Sequence, residues 1–398
     1  MRVLRLAIHG LGVAAALFVG CSRSSEPAAK TPESVVVESE SPTAEAPGPT
    51  VLAAVRVDQR STFITLDGSP AFGEQAWDMA YPFSSGVAMV IANAGELRKD
   101  DGRDFAVGGL YRLIDAEGKE VSDRDYPSIV HAREGVVSVR GMMGQHLERL
   151  DGTQVGKDFE EVGNVREGRV VAVGMADGEP SLGWLDTSTG KWVVSWPRGE
   201  FKQLCRFFDG LACAQNAEGQ CGWYTPDGTV AIPVRYDACG NFHDGVAWAG
   251  LPGAHVGVIE KTGRFVVEQK YDEITDASEE RMFVKVGERW GLLDTTGRVI
   301  LEPQFFAVRS FSEGWASVLR EGGGGTTYID REGAVVLELE FRALDFHFDR
   351  AIYFDNDTDK AGFIDRTGAP VIPATFDTVH NFGDVAVDNP PAPLDWTR

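Results

Sequence analysis

With 398 residues the chain can hold two or three ordinary domains or one large repeat array. Its 46 glycines and 19 prolines, present throughout, favour many turns over long helices. Sixty acidic residues against 38 basic ones give a formal charge of −22, a field that repels phosphate backbones and anionic lipid, so nucleic-acid binding and polybasic membrane attachment are poor roles for it.

In chain order, Arg2 and Arg5 precede an apolar run from Leu6 to Gly20 that only His9 interrupts. The run is short for a membrane span, which needs about 20 residues, and suits the hydrophobic region of a signal peptide over residues 1–20. It ends in Phe18-Val19-Gly20-Cys21, which resembles the lipobox of bacterial lipoproteins. That resemblance implies cleavage before Cys21, acylation of its thiol and a lipid anchor in the bacterial cell envelope. Ser22, rather than Asp, then implies passage to the outer membrane, facing the periplasm or the surface. Residues 21–50 are dominated by Pro, Ser, Ala and Glu and read as a disordered tether.

The remainder repeats itself. A Gly-hydrophobic-aliphatic-acid segment, closed by Gly after two or three intervening residues, recurs as GWLDTSTG from Gly183, GVIEKTG from Gly257, GLLDTTG from Gly291 and GFIDRTG from Gly362. The second half of a unit carries Phe-x-Asp/Glu, in several copies followed by Gly, before an alternating run, as in NFHDGVAWAG from Asn241 and SFSEGWASV from Ser310. Fainter copies lie upstream, at Tyr111, Leu147 and Phe63. The turn glycines are Gly68, Gly118, Gly152, Gly190, Gly228, Gly263, Gly297, Gly333 and Gly368, nine units of roughly 35 residues. Residues 51–388 therefore form one β-repeat domain, and 389–398 a C-terminal tail.

Within a unit, Asp-x-x-Gly is turn chemistry, since Asp bonds its own backbone and Gly supplies positive φ. The flanking runs read as strands, three per unit, leaving no room for a helix. A lone unit of this size is barely stable, so neighbours must share a core. The fold class is all-β, with two architectures open: a propeller-like ring, or an open β-superhelix.

Arg289-Trp290-Gly291-Leu292-Leu293-Asp294, with Gly183-Trp184 and Gly222-Trp223, resembles the signature of the bacterial WG-repeat (KWG-type) family. The resemblance extends over about residues 55–388 and implies architecture more than chemistry.

Candidate sites are few. Cys205, Cys213, Cys221 and Cys239 are an even, clustered set without a C-x-x-C pair, which in an exported chain reads as two disulfides, Cys213–Cys221 and Cys205–Cys239. Asp355, Asp357 and Asp359 alternate like the start of a calcium loop, so calcium is the one cofactor to test; otherwise none is implied. Asp186, Asp294, Asp330 and Asp365 recur once per unit and read as turn residues, because a catalytic acid is normally needed once. The histidines at 131, 146, 243, 255, 347 and 380 form no recognisable catalytic motif. Trp184, Trp223, Trp248, Trp290 and Trp315 read as core between units rather than a sugar platform. The leading expectation is a non-enzymatic envelope lipoprotein, held to the membrane by its lipid, whose repeat domain binds a protein or glycan partner. The alternatives are an envelope hydrolase acting on glycan or peptide, and a ligand sensor in a signalling system.

Overall fold

The computed structural model describes residues 50–387, apart from 101, 102, 122, 142, 143 and 323. The expected signal peptide, the expected tether up to residue 49 and the expected C-terminal tail lie outside the described residues, and Cys21 with them. The described chain is all β and forms a β-propeller of nine blades.

Blade 7 shows the pattern: Glu273–Ile274, Arg281–Val286, Arg289–Asp294 and Val299–Phe305 lie side by side, each antiparallel to the next. The unit therefore has four strands rather than three. The additional one pairs through only two residues, too few to leave a periodic signal. Tyr-Asp and Phe-Asp pairs mark the crossings from a fourth strand to the next blade's first, as at Tyr271-Asp272. The fourth strands are the most exposed, Val335–Glu338 having no buried residue, which puts them on the rim and the first strands toward the axis.

The signature glycine has a mechanical cause. At Gly291 the fourth strand bulges inward, and a Cβ there would stand 2.6 Å from the Leu301 carbonyl oxygen.

Closure decides between ring and open stack. Blade 1 takes its first strand from the far end of the chain: Thr378–Val379 pairs with Val51–Val57, which pairs in turn with Arg60–Ile64. Gly383–Asp384 pairs with the beginning of Val51–Val57 as well. Period 2 gives Val51–Val57 two apolar faces. Ala53 and Val55 enter a core with Ile352, Phe363 and Phe382 of the C-terminal region, while Leu52 and Ala54 enter another with Phe83, Val90 and Ile114 of blade 2. The ring has no free sheet edge at the join, the usual gain of closure. Blade 2 is irregular, with a hairpin of Glu96–Asp100 and Arg103–Val107 inserted between its second and third strands.

Candidate functional site

One face of the ring carries two kinds of turn per blade. Between first and second strands lies a two-residue turn with both φ positive, such as Asp244 (51°) and Gly245 (81°), or Glu313 (52°) and Gly314 (84°). This is the geometry of a type I′ hairpin, whose twist matches that of the strands. These turns are the Phe-x-Asp/Glu-Gly motifs.

Their acids stitch the blades together. The backbone N–H groups of Glu167 and Gly168 both donate to the Glu134 carboxylate at 2.7 Å. Gly210 donates to Glu167 (3.0 Å), Gly245 to Asp209 (2.9 Å) and Glu280 to Asp244 (2.7 Å). Gly314 donates to Glu279 (2.8 Å), and Phe348 and Asp349 donate to Glu313. Each acid thus reaches the next blade's turn, an unbroken series from blade 3 to blade 9. Hydrogen bonds to charged acceptors are worth about 1.5–3 kcal/mol each. Sequence reasoning recognised the motif but not this role, which depends on the neighbouring unit.

The Asp-x-x-Gly turns occupy the same face. Asp294 accepts from the N–H groups of Thr296 and Arg298, from the Thr296 hydroxyl and from the Arg298 guanidinium. Partial burial pushes its carboxyl up, but these donors outweigh it and hold the group down to about 2. Asp186 and Asp365 are held below the usual range in the same way, led by the hydroxyls of Ser188 and Thr367 respectively. The repeated acids are turn anchors, as their repetition indicates.

A different chemistry occupies the segments that lead from the innermost strands of blades 3 to 6 into their axial turns. Arg133, Arg166 and Phe208 each stand just before their blade's axial turn, Arg206 lies two residues before Phe208, and His243 holds the equivalent place in blade 6. The Arg166 and Arg206 guanidiniums lie 5.1 and 5.4 Å from the centre of the Phe208 ring, and the His243 ring packs on Phe208 at 4.6 Å. Burial, followed by the charges of Arg133 and Arg166, lowers the Arg206 pKa. Elsewhere around the axis charges are matched: Arg309 binds Asp345 (2.9 Å), which also accepts from Ser317. Asp276 accepts from Asn241 and from the Trp248 indole (2.9 Å), with His243 Nε2 at 4.0 Å. His131, two residues before Arg133, has both ring nitrogens buried without a hydrogen-bond partner, and burial with the Arg133 charge lowers it to about 4.

The sequence-predicted sites fare unevenly. Both disulfides form, but with other partners: Cys205 joins Cys213 and Cys221 joins Cys239, with Cα separations of 5.1 and 6.3 Å. The expected Cys213–Cys221 pair fails on register, because Cys213 stands opposite Trp223 and Cys221 opposite Gln215. Cys205 is the true neighbour of Cys213, donating its N–H to the Cys213 carbonyl at 2.8 Å. The expected Cys205–Cys239 pair gives way to a staple from the third strand of blade 5 to the first of blade 6. All four cysteines belong to one core between these blades.

The calcium reading does not fit the geometry. Asp355 Oδ1 accepts from the N–H groups of Asp357 and Thr358 and from the Thr358 hydroxyl, forming a closed local turn. Among the described residues no three acids, histidines or cysteines gather to hold a metal, so Asp357 and Asp359 complete no cation site. Trp184 and Trp223 are fully buried core, their indoles donating to the Cys205 and Gly240 carbonyls of the next blade. Trp248, Trp290 and Trp315 are only partly buried.

Four stretches, residues 222–250, 257–290, 290–323 and 362–384, match the family model described as "WG containing repeat". No curated protein matches the chain. Among solved structures it is similar to the computationally designed Ika8 protein (14% identity, TM-score 0.40, 68% of this chain and 91% of that one). It is also similar to BamB from Moraxella catarrhalis (9%, 0.37, 70% and 97%) and to Sqt1 from Saccharomyces cerevisiae (12%, 0.36, 74% and 94%).

Proposed function

We propose that the protein is a non-enzymatic lipoprotein of the bacterial envelope whose WG-repeat propeller acts as a binding scaffold for a protein or ligand. A propeller of WG repeats suggests such a scaffold. The observation that carries the reading is the use of its carboxylates. The acids that recur on the turn-bearing face accept hydrogen bonds from the next blade or from their own turn, which is architecture rather than proton transfer. Removing them from chemistry leaves a rigid ring with a broad face, the form in which repeat arrays present binding surfaces. The lipobox resemblance at Cys21 supplies the envelope part of the proposal.

The test is affinity capture from envelope extract with the full chain, compared with a Cys21→Ala chain. A partner retained by both, with only the Cys21 form fatty-acylated and membrane-bound, is the expected result. Labelling of the Cys21→Ala chain would refute the anchor. Capture of no partner, together with turnover of a glycan or peptide, would refute the scaffold.

A further inference from the structure

The chain carries 22 more acids than bases, so an arginine near its surface has many available partners. Arg166 and Arg206 have none: each is half-buried in the segment that leads from its blade's first strand to the axial turn, and among the described residues neither makes an ion pair. Instead both lie against Phe208, with Arg133 two blades away adding to the local positive field. The nearest acids in sequence, Glu134, Glu167 and Asp209, are bound to the backbone of the following turn. Gathering like charges and partly desolvating them is unfavourable unless an anion completes the group.

We propose that Arg166 and Arg206, with His243 beside them on Phe208, form an axial binding site for an oxyanion, a carboxylate or a phosphate, carried by a small ligand. The planar guanidinium presents paired donors that match either group bidentately, which an ammonium cannot do. Phe208 holds both forks in place through its ring face, so little side-chain freedom is lost on binding. The site is confined to blades 4 to 6. Beyond it Asp276 already takes the Asn241 and Trp248 donors, and Arg309 is neutralised by Asp345. This inference deepens the scaffold reading by naming the chemistry of one ligand. It is separable from that reading, because it is tested on purified protein without any partner.

The experiment is calorimetric titration of the full chain with inorganic phosphate and, separately, with citrate, at constant ionic strength set by sodium chloride. Saturable binding of at least one is expected. Stronger binding of phosphate assigns a phosphorylated ligand, and stronger binding of citrate a carboxylate one. Arg166→Gln with Arg206→Gln should weaken the preferred anion at least tenfold, while Arg264→Gln, an exposed arginine on a rim turn, should leave it unchanged. Arg206→Lys keeps charge and stem but loses the fork, and should weaken binding several-fold even where the double variant folds poorly. Absence of saturable binding by either anion overturns the proposal. So does binding that survives both the double variant and Arg206→Lys, since the arginines would then serve only to pack Phe208.

Discussion

Gly297 offers the sharpest test of how the blades support one another. It closes the Asp294 turn of blade 7 at φ +92°, and a Cβ there would lie 2.8 Å from Cγ2 of Val267 on the fourth strand of blade 6. Gly297→Val therefore carries two costs. The left-handed backbone costs a β-branched residue about 1–3 kcal/mol, and the forced overlap with Val267 adds about 1–3 more. Gly245→Ala is the control: its φ is +81°, but no atom lies within 4 Å of the added Cβ, so only strain of about 1 kcal/mol is expected. The neighbouring Asp294→Asn keeps the oxygen that accepts from the Thr296 and Arg298 backbone but loses the charge and the Arg298 guanidinium bond at Oδ2, so its cost should be about 1–2 kcal/mol, below that of Gly297→Val. Urea denaturation followed by tryptophan fluorescence reads all three, because Trp290 stands in the affected blade. A Gly297→Val chain no less stable than Gly245→Ala would refute the argument that blade 7 leans on blade 6 through this turn.

Mass mapping without reduction should return Cys205–Cys213 and Cys221–Cys239 peptides, and a Cys213–Cys221 peptide would overturn the observed register. With sequence separations of 8 and 18, the bonds contribute about 2.6 and about 3.2 kcal/mol in the loop-entropy treatment, so Cys239→Ser should be the more damaging single change. His131 titrates near 4 in the fold against about 6.5 unfolded, so the unfolded chain binds the extra proton between those values. Its stabilising effect is intact above pH 6.5 and is lost as pH falls toward 4, by up to about 3 kcal/mol. Denaturation at pH 7.5 and 4.5 should show that loss in the natural chain and much less of it in His131→Gln; equal losses would exclude His131 as the cause.

How much of this was legible depends on whether the determinant lies inside one unit. The Asp294-x-x-Gly297 turn closes on itself, so its residues announce it wherever it recurs. The Glu313–Asp349 bond joins two units, and sequence shows only that an acid precedes a glycine or its substitute. The contrast extends to the glycines themselves. The Asp-turn position is Gly in all nine units, from Gly68 to Gly368, and each would press a Cβ against a neighbour. The second axial-turn position accepts Glu280 at φ 62° and Asp349 at φ 56°, and at its glycine copies, such as Gly245 and Gly314, an added Cβ meets nothing within 4 Å. The cysteine pairing failed for a related reason. Nearness in sequence fixed the set of four, but a two-residue offset in register decided the partners. The arginine pair gave no signal at all, since Arg166 and Arg206 meet on Phe208 only when two blades pack side by side.

The seam of the ring separates a closed propeller from a stack that merely ends. In a stack, losing the last strand frays one unit and leaves the first untouched. Here the last residues complete the first blade: Thr378–Val379 supplies its innermost strand, and Phe382 is buried among Ala53, Val55 and Phe363, its ring 4.7 Å from that of Phe363. Phe382→Ala should therefore cost about 3–5 kcal/mol, the usual range for an aromatic in a full core, and should weaken both ends of the sequence together. A chain stopped after Phe376 would also expose the Val51–Val57 edge, whose alternate faces are otherwise covered, and should self-associate through it. Hydrogen exchange read by mass spectrometry distinguishes the cases. In a ring, amides of 51–64 lose protection when Phe382 is truncated, although more than three hundred residues of sequence separate them. Unchanged protection of 51–64, with fraying confined to blade 9, would mean that the two ends of the chain do not share a blade.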